Sequence, residues 1–134
     1  MPELPEVEIS ARRLNAALEG QEVESALATG VATLKTFEPP LEALTGARIR
    51  GVRRIGKMLA TDFDADGTDL TLLVHLMSAG RLQLFDKRAS LKDRRSRLLL
   101  RIADGRELRL REFGTRQSAW AKLCLLYTSP SPRD

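Results

Sequence analysis

The feature that most restricts this chain is a succession of short apolar segments with turn signals between them. "ARIRGVRRI" (47–55), "KMLATDF" (57–63), "LTLLVHL" (70–76), "GRLQLF" (80–85), "SRLLLRI" (96–102) and "RELRLREF" (106–113) are each too short for a core helix. Several alternate apolar with polar side chains, the period of a half-buried strand. "DADG" (64–67) and "ADG" (103–105) read as hairpin turns, because glycine takes the positive φ that tight reversals need. The pattern predicts several antiparallel strands.

One segment breaks this period. In "ELPEVEISARRLNAALEG", Val7, Ala11, Leu14 and Leu18 recur at spacings of four, three and four, one apolar stripe along a helix. Pro5 fits the first turn, where its missing N–H leaves no bond unmade. Glu6 and Glu8 suit the positive end of the helix dipole, and Gly20 suits the stop. "PPLEALTG" (39–46) could form a short second helix. The expected fold is mainly β with an N-terminal α-helix, a two-layer antiparallel sandwich.

The 134 residues suffice for one domain with a real core. Lys and Arg number 22 against 18 acids, a net charge of +4, which favours an anionic partner such as nucleic acid. A single cysteine, Cys124, and a single histidine, His75, argue against a disulfide framework or a Cys/His metal site. No apolar run reaches membrane-spanning length and the first residues are acidic, so the expectation is a cytoplasmic protein without a signal peptide.

The opening octet, "MPELPEVE", has a chemistry of its own. Removal of Met1 would leave Pro2 as a secondary amine with a pKa near that of an α-amino group, about 7.7–8.0 against about 10.4 for lysine. An appreciable neutral fraction at pH 7 can attack a carbonyl-level carbon, and the product is an iminium that stays charged and draws electrons. Glu3 stands beside it to move protons. On composition alone, the octet equally well shapes a helix entry.

The octet, Lys57 within "RRIGKMLATDF" and the segment "VHLMSAGRL" together closely resemble the start of the formamidopyrimidine-DNA glycosylase and endonuclease VIII family. The resemblance runs over 1–122 and implies a bifunctional DNA N-glycosylase and abasic-site lyase of base-excision repair, acting on damaged double-stranded DNA, expected as a monomer. Residue by residue, it implies that Pro2 is the nucleophile, Glu3 the acid that protonates the sugar ring oxygen, and Glu6 a buried supporting carboxylate near the nucleophile. It makes Lys57 a backbone-reaching lysine on a β-hairpin and His75 a phosphate contact. Each residue also has a plainer reading. Glu6 complements the helix dipole, Lys57 is one more charge after Arg48, Arg50, Arg53 and Arg54, and His75 is a structural side chain.

The residues that fill the gap left by a flipped base are less well matched. "HLMSAG" places Ser78 where the family has methionine, with Met77 one residue early. In "LREFGTRQSAW", alignment on FG nominates Arg111 and Phe113, whereas alignment on the tryptophan nominates Arg116 and Gln117. The second keeps Trp120 and a following helix start in phase and is preferred. "DKRASLKDRRSRLLLRI" is either a phosphate-tracking surface or a soluble loop and strand. Residues 123–134, "LCLLYTSPSPRD", read as a disordered or foreign tail where the family continues into its second DNA-binding domain. No cofactor is expected in this chain, and a zinc finger, if any, would lie in that missing part. Apolar surface is then expected near Trp120, Leu123 and Leu125. The alternative function is a non-catalytic nucleic-acid-binding β module.

Overall fold

A computed structural model describes residues 4–28, 34, 39–77, 79–88, 95–113 and 119–125. Helix α1 (Leu4–Leu18) is followed by β1 (Val23–Ala28), a 3₁₀ turn (Leu41–Leu44), β2 (Arg48–Ile55), β3 (Met58–Ala65), β4 (Thr68–His75), β5 (Gly80–Phe85), β6 (Ser96–Ile102), β7 (Glu107–Glu112) and β8 (Trp120–Leu125). The strands form two four-stranded antiparallel sheets, ordered β1-β6-β7-β5 and β2-β3-β4-β8. The expected fold class is therefore observed.

Alternation of side chains builds the core between the layers. Leu98, Leu100, Ile102, Leu108 and Leu110 of one sheet join Leu59, Phe63, Leu70, Leu72, Val74 and Leu123 of the other in a single buried cluster. Val7, Ala11, Leu14 and Leu18 belong to it too, as the helical spacing predicts. Each fully buried leucine or valine contributes about 1.5–3 kcal/mol.

A polar contact fixes how α1 lies on β2. The β2–β3 register slips between Ile49 and Gly51, a bulge that leaves a backbone donor unpaired in the ladder. The N–H of Val52 instead donates to Oδ1 of Asn15, at 2.8 Å. A Cβ at Gly51 would lie 2.5 Å from that oxygen, so the close approach of helix and strand requires glycine.

The short second helix expected in 39–46 is present as the 3₁₀ helix Leu41–Leu44. Three other expectations differ from the structure. Strand β1 was not foreseen, because its pattern of burial does not alternate regularly and its register with β6 slips after Val23. Strand β8 occupies Trp120–Leu125, where the alignment expects a helix to start, and it runs three residues past the expected end of the domain at 122 because its backbone pairs with β4. Leu123 pairs with Leu72 and is fully buried, so it is core rather than exposed surface, while Leu125 is 45% exposed as expected. Residues 126–134, the rest of the expected tail, lie outside the described residues.

Candidate functional site

Antiparallel register decides which residues share an end of the sandwich. Gly56 and Lys57 form the turn between β2 and β3, and the φ of +60° at Gly56 supplies the left-handed residue that a two-residue hairpin needs. Lys57 is therefore at the tip. Next to that tip Met58 faces His75 at the end of β4, and His75 faces Trp120 at the start of β8. In the other sheet Gly80 faces Glu112, and Ser96 faces Arg111. The short connection from β4 to β5 places all of these at one end.

The start of α1 lies there as well. Glu8 bonds Arg54 at 2.9 Å, three residues before the tip lysine. Glu6, Val7 and Ser10 line a cleft of about 170 Å³ with Leu76, Arg81 and Gln83, but Glu6 is exposed in the first turn of α1 rather than buried as the resemblance implies. The far end carries the acidic β3–β4 turn, with Asp64, Asp66 and Asp69, and the β6–β7 turn with Asp104. These acids pair with basic side chains of the same end, Asp69 with Arg50 at 2.9 Å and Asp104 with Arg106 at 2.7 Å.

The run of arginines before Lys57 is not the open basic stripe that its sequence implies. Arg53 makes two parallel bonds to Asp62, at 2.7 and 3.1 Å, Arg50 pairs with Asp69 at 2.9 Å, and Arg54 pairs with Glu8. Asp62 lies on the adjacent β3, Asp69 reaches Arg50 from β4 beyond it, and Glu8 reaches Arg54 from α1, and together they neutralise these arginines. Lys57 is exposed and has no ion pair with any described residue. The Arg54 guanidinium, and then Arg12, hold the Glu8 carboxyl below its ordinary value.

His75 is half-buried, its ring 5.6 Å from that of Trp120. The backbone N–H of Met77 donates to His75 Nδ1 at 3.1 Å. That bond requires an unprotonated Nδ1, so the neutral ring carries its proton on Nε2 and can donate there. Met77 itself has φ +55°, a left-handed conformation that a side chain as large as methionine adopts only when its surroundings hold it there.

Arg111, at the end of β7, faces Arg81 on β5 in register. Its guanidinium lies 4.9 Å from the ring of Phe113, and that of Arg95 lies 5.1 Å from the same ring. Phe113 is 43% exposed despite this bracketing, an apolar ring held out between two cations. Arg95 and Arg81 were not singled out in the sequence, and neither was Glu112, which is 3% exposed. Of the long basic segment, Arg88 pairs with Glu24 and Arg101 with the buried Glu107 at 3.0 Å. Pro2, Glu3, Ser78, Arg116 and Gln117 lie outside the described residues. Among the described residues no group of His, Cys, Asp or Glu is arranged to hold a metal ion, and no helix is long and apolar enough to cross a membrane.

Residues 1–116 match the family model described as the formamidopyrimidine-DNA glycosylase N-terminal domain. The formamidopyrimidine-DNA glycosylase of Lactococcus lactis subsp. cremoris is 36% identical over 118 residues, covering 86% of this chain and 42% of its own length. That of Pelobacter propionicus is 36% identical over 119 residues, with 86% and 43% coverage. Among solved structures, a complex of the Lactococcus lactis enzyme with DNA containing N7-benzyl-Fapy-dG superposes with a TM-score of 0.79 at 30% identity, covering 92% of this chain and 44% of that one. A complex of the same enzyme with abasic-site DNA gives 0.77 at 30% identity, with the same coverage. The chain thus spans less than half the length of the curated relatives it matches.

Proposed function

This chain belongs to the formamidopyrimidine-DNA glycosylase family, and from that premise we propose that it carries the catalytic portion of a base-excision repair enzyme, an N-glycosylase and abasic-site lyase acting on damaged double-stranded DNA. The observation that best supports this reading is the convergence of the α1 start, the Lys57 hairpin tip, His75, Met77 and the Arg111–Phe113 pair on one end of the sandwich.

In the proposed reaction the neutral Pro2 nitrogen attacks C1′ of the damaged nucleotide and the base leaves with the glycosidic bonding pair. The nitrogen passes its proton to the departing base, Glu3 protonates the ring oxygen as the C1′–O4′ bond breaks, and the freed nitrogen lone pair forms the iminium. The iminium draws electrons from C2′, so a base can remove its proton. The new double bond then expels the 3′ phosphate with its bonding pair. Water hydrolyses the iminium and frees the amine. These steps balance without a metal or organic cofactor.

The other residues bind and orient. Lys57 reaches a backbone phosphate as a point charge, and His75 donates to a second from Nε2; such contacts position DNA and carry no sequence information. Glu6 faces the cleft below the helix start and supports the nucleophile electrostatically. A flipped nucleotide leaves a gap that must be filled; the role is assigned in this proposal to Met77, Arg111 and Phe113, with Arg116 and Gln117 as the alternative pair to Arg111 and Phe113. The protein is proposed to act as a monomer in the cytoplasm.

Borohydride reduction tests this reading. With abasic-site duplex the chain should yield a covalent, denaturation-resistant adduct, and Pro2→Gly should weaken it. Salt-sensitive DNA retention without any adduct would instead identify a non-catalytic binding module.

A further inference from the structure

At the site end, two connections that are remote in sequence are knotted together. The N–H of Gly80 donates to the carbonyl of Leu76 at 2.8 Å, closing the β4–β5 loop on itself. The N–H of Phe113 donates to the carbonyl of Ala79 at 3.0 Å, tying the end of β7 to that loop. The N–H of Glu112 donates to the carbonyl of Arg95 at 2.8 Å, which adds the start of β6. Oε2 of Glu112 then accepts the N–H of Ala119 at 3.0 Å, where β8 begins in the opposite sheet.

Glu112 is 3% exposed and Ala119 is 5% exposed, so this last bond is made away from water, where a charged acceptor is strongest and most costly to lose. Ala119 also packs on Gly80. A Cβ at Gly80 would fall 2.7 Å from that of Ala119 and 2.5 Å from the Leu76 carbonyl oxygen. The glycine is needed for space rather than for backbone conformation.

We infer that Glu112 is a positioning residue: its buried carboxylate clasps β7 to β8 across the two sheets, with Gly80 as the contact floor, so that Met77, just past β4, and Phe113, just past β7, are held against one rigid unit. Met77 and Phe113 then keep a fixed separation, which two independently moving loops could not provide. Strength in the clasp is what allows Met77 to persist at positive φ and Phe113 to stand out in solvent. The consequence for DNA rests on the proposed function, since a gap-filling set is useful only if its members enter together.

The test uses this chain with Glu112→Gln, Glu112→Ala and Gly80→Ala. In the free protein, amide hydrogen exchange at Ala119 should accelerate about tenfold or more in Glu112→Ala, with a smaller change at the core amide of Leu100. Glu112→Gln keeps an oxygen acceptor and should stay near the native rate. Gly80→Ala should accelerate Ala119 as Glu112→Ala does, and it carries the comparison with Glu112→Gln if Glu112→Ala fails to fold. A 2-aminopurine opposite an abasic site in duplex DNA then reads gap filling, and its response should fall in the same variants and be rescued by glutamine. Unchanged exchange at Ala119, or an equal acceleration at Leu100, would overturn the clasp. The expected exchange pattern with no 2-aminopurine response from the native chain would uphold the clasp and count against the repair function.

Discussion

Glu8 of α1 and Arg54 of β2 are joined at 2.9 Å, which ties the first turns of the helix to the strand that ends at the Lys57 tip. Arg54 and then Arg12 keep the Glu8 carboxyl below its ordinary value of 4.5. A carboxyl depressed in the folded state adds stability that is present above its unfolded pKa and is lost as pH falls through the lower, folded one. Arg54→Ala removes the larger cause. The difference in urea midpoint between about pH 7 and about pH 3 should therefore be smaller in Arg54→Ala than in the native chain. An equal difference would show that the pair does not contribute.

Gly51→Ala should lower stability by about 1–3 kcal/mol, because its Cβ displaces the Asn15 oxygen and leaves the half-buried Val52 N–H unpaired. Urea denaturation measures this directly. Asn15→Ala should cost a similar amount, and the double variant should cost less than the sum, since both remove one bond.

Lys57→Ala should leave stability within about 0.5 kcal/mol of native, as an exposed turn residue away from packing contacts. Its effect should appear in DNA binding. The slope of log affinity against log salt should become shallower by about 1, uniformly across sequences. Arg53→Ala, whose charge is already satisfied by Asp62, should change that slope less.

Leu123→Ala should destabilise the fold by about 2–5 kcal/mol, because its side chain is fully buried between the sheets. Leu125→Ala, at a half-exposed strand end, should cost much less. Comparable small effects at both positions would mean that β8 is not integral to the core.

The helix was legible because its stripe is local: Val7, Ala11, Leu14 and Leu18 are one face at helical spacing, and all four are buried. Strands β2 to β7 were legible for the same reason. Strand β8 was not, because "AWAKLCL" precedes a Ser/Pro run and its true partner, β4, lies some fifty residues earlier (about the reach of a whole hairpin pair). Long-range register also hid the fate of the arginines. Asp62, Asp64 and Asp69 become neighbours of Arg50 and Arg53 only when β2, β3 and β4 pair.

The candidate site divides along the same line. Lys57 and His75 could be named from short motifs, and pairing of Met58 with His75 brings them together. Alignment on the tryptophan favoured Arg116 and Gln117 over Arg111 and Phe113. Arg111 and Arg95 bracket an exposed Phe113, while Arg116 and Gln117 lie outside the described residues. Glu112 escaped notice because alternation alone cannot reveal a carboxylate whose partner is a backbone N–H on another sheet.

The decisive measurement is a peptide map of the borohydride-reduced adduct with abasic-site DNA. An adduct mass on the N-terminal peptide, with Met1 removed and Pro2 as the modified residue, is the predicted result. Attachment at Lys57 instead, or no adduct from a chain whose Pro2 nitrogen has been shown to be unblocked, would contradict the assignment of that nitrogen as the nucleophile.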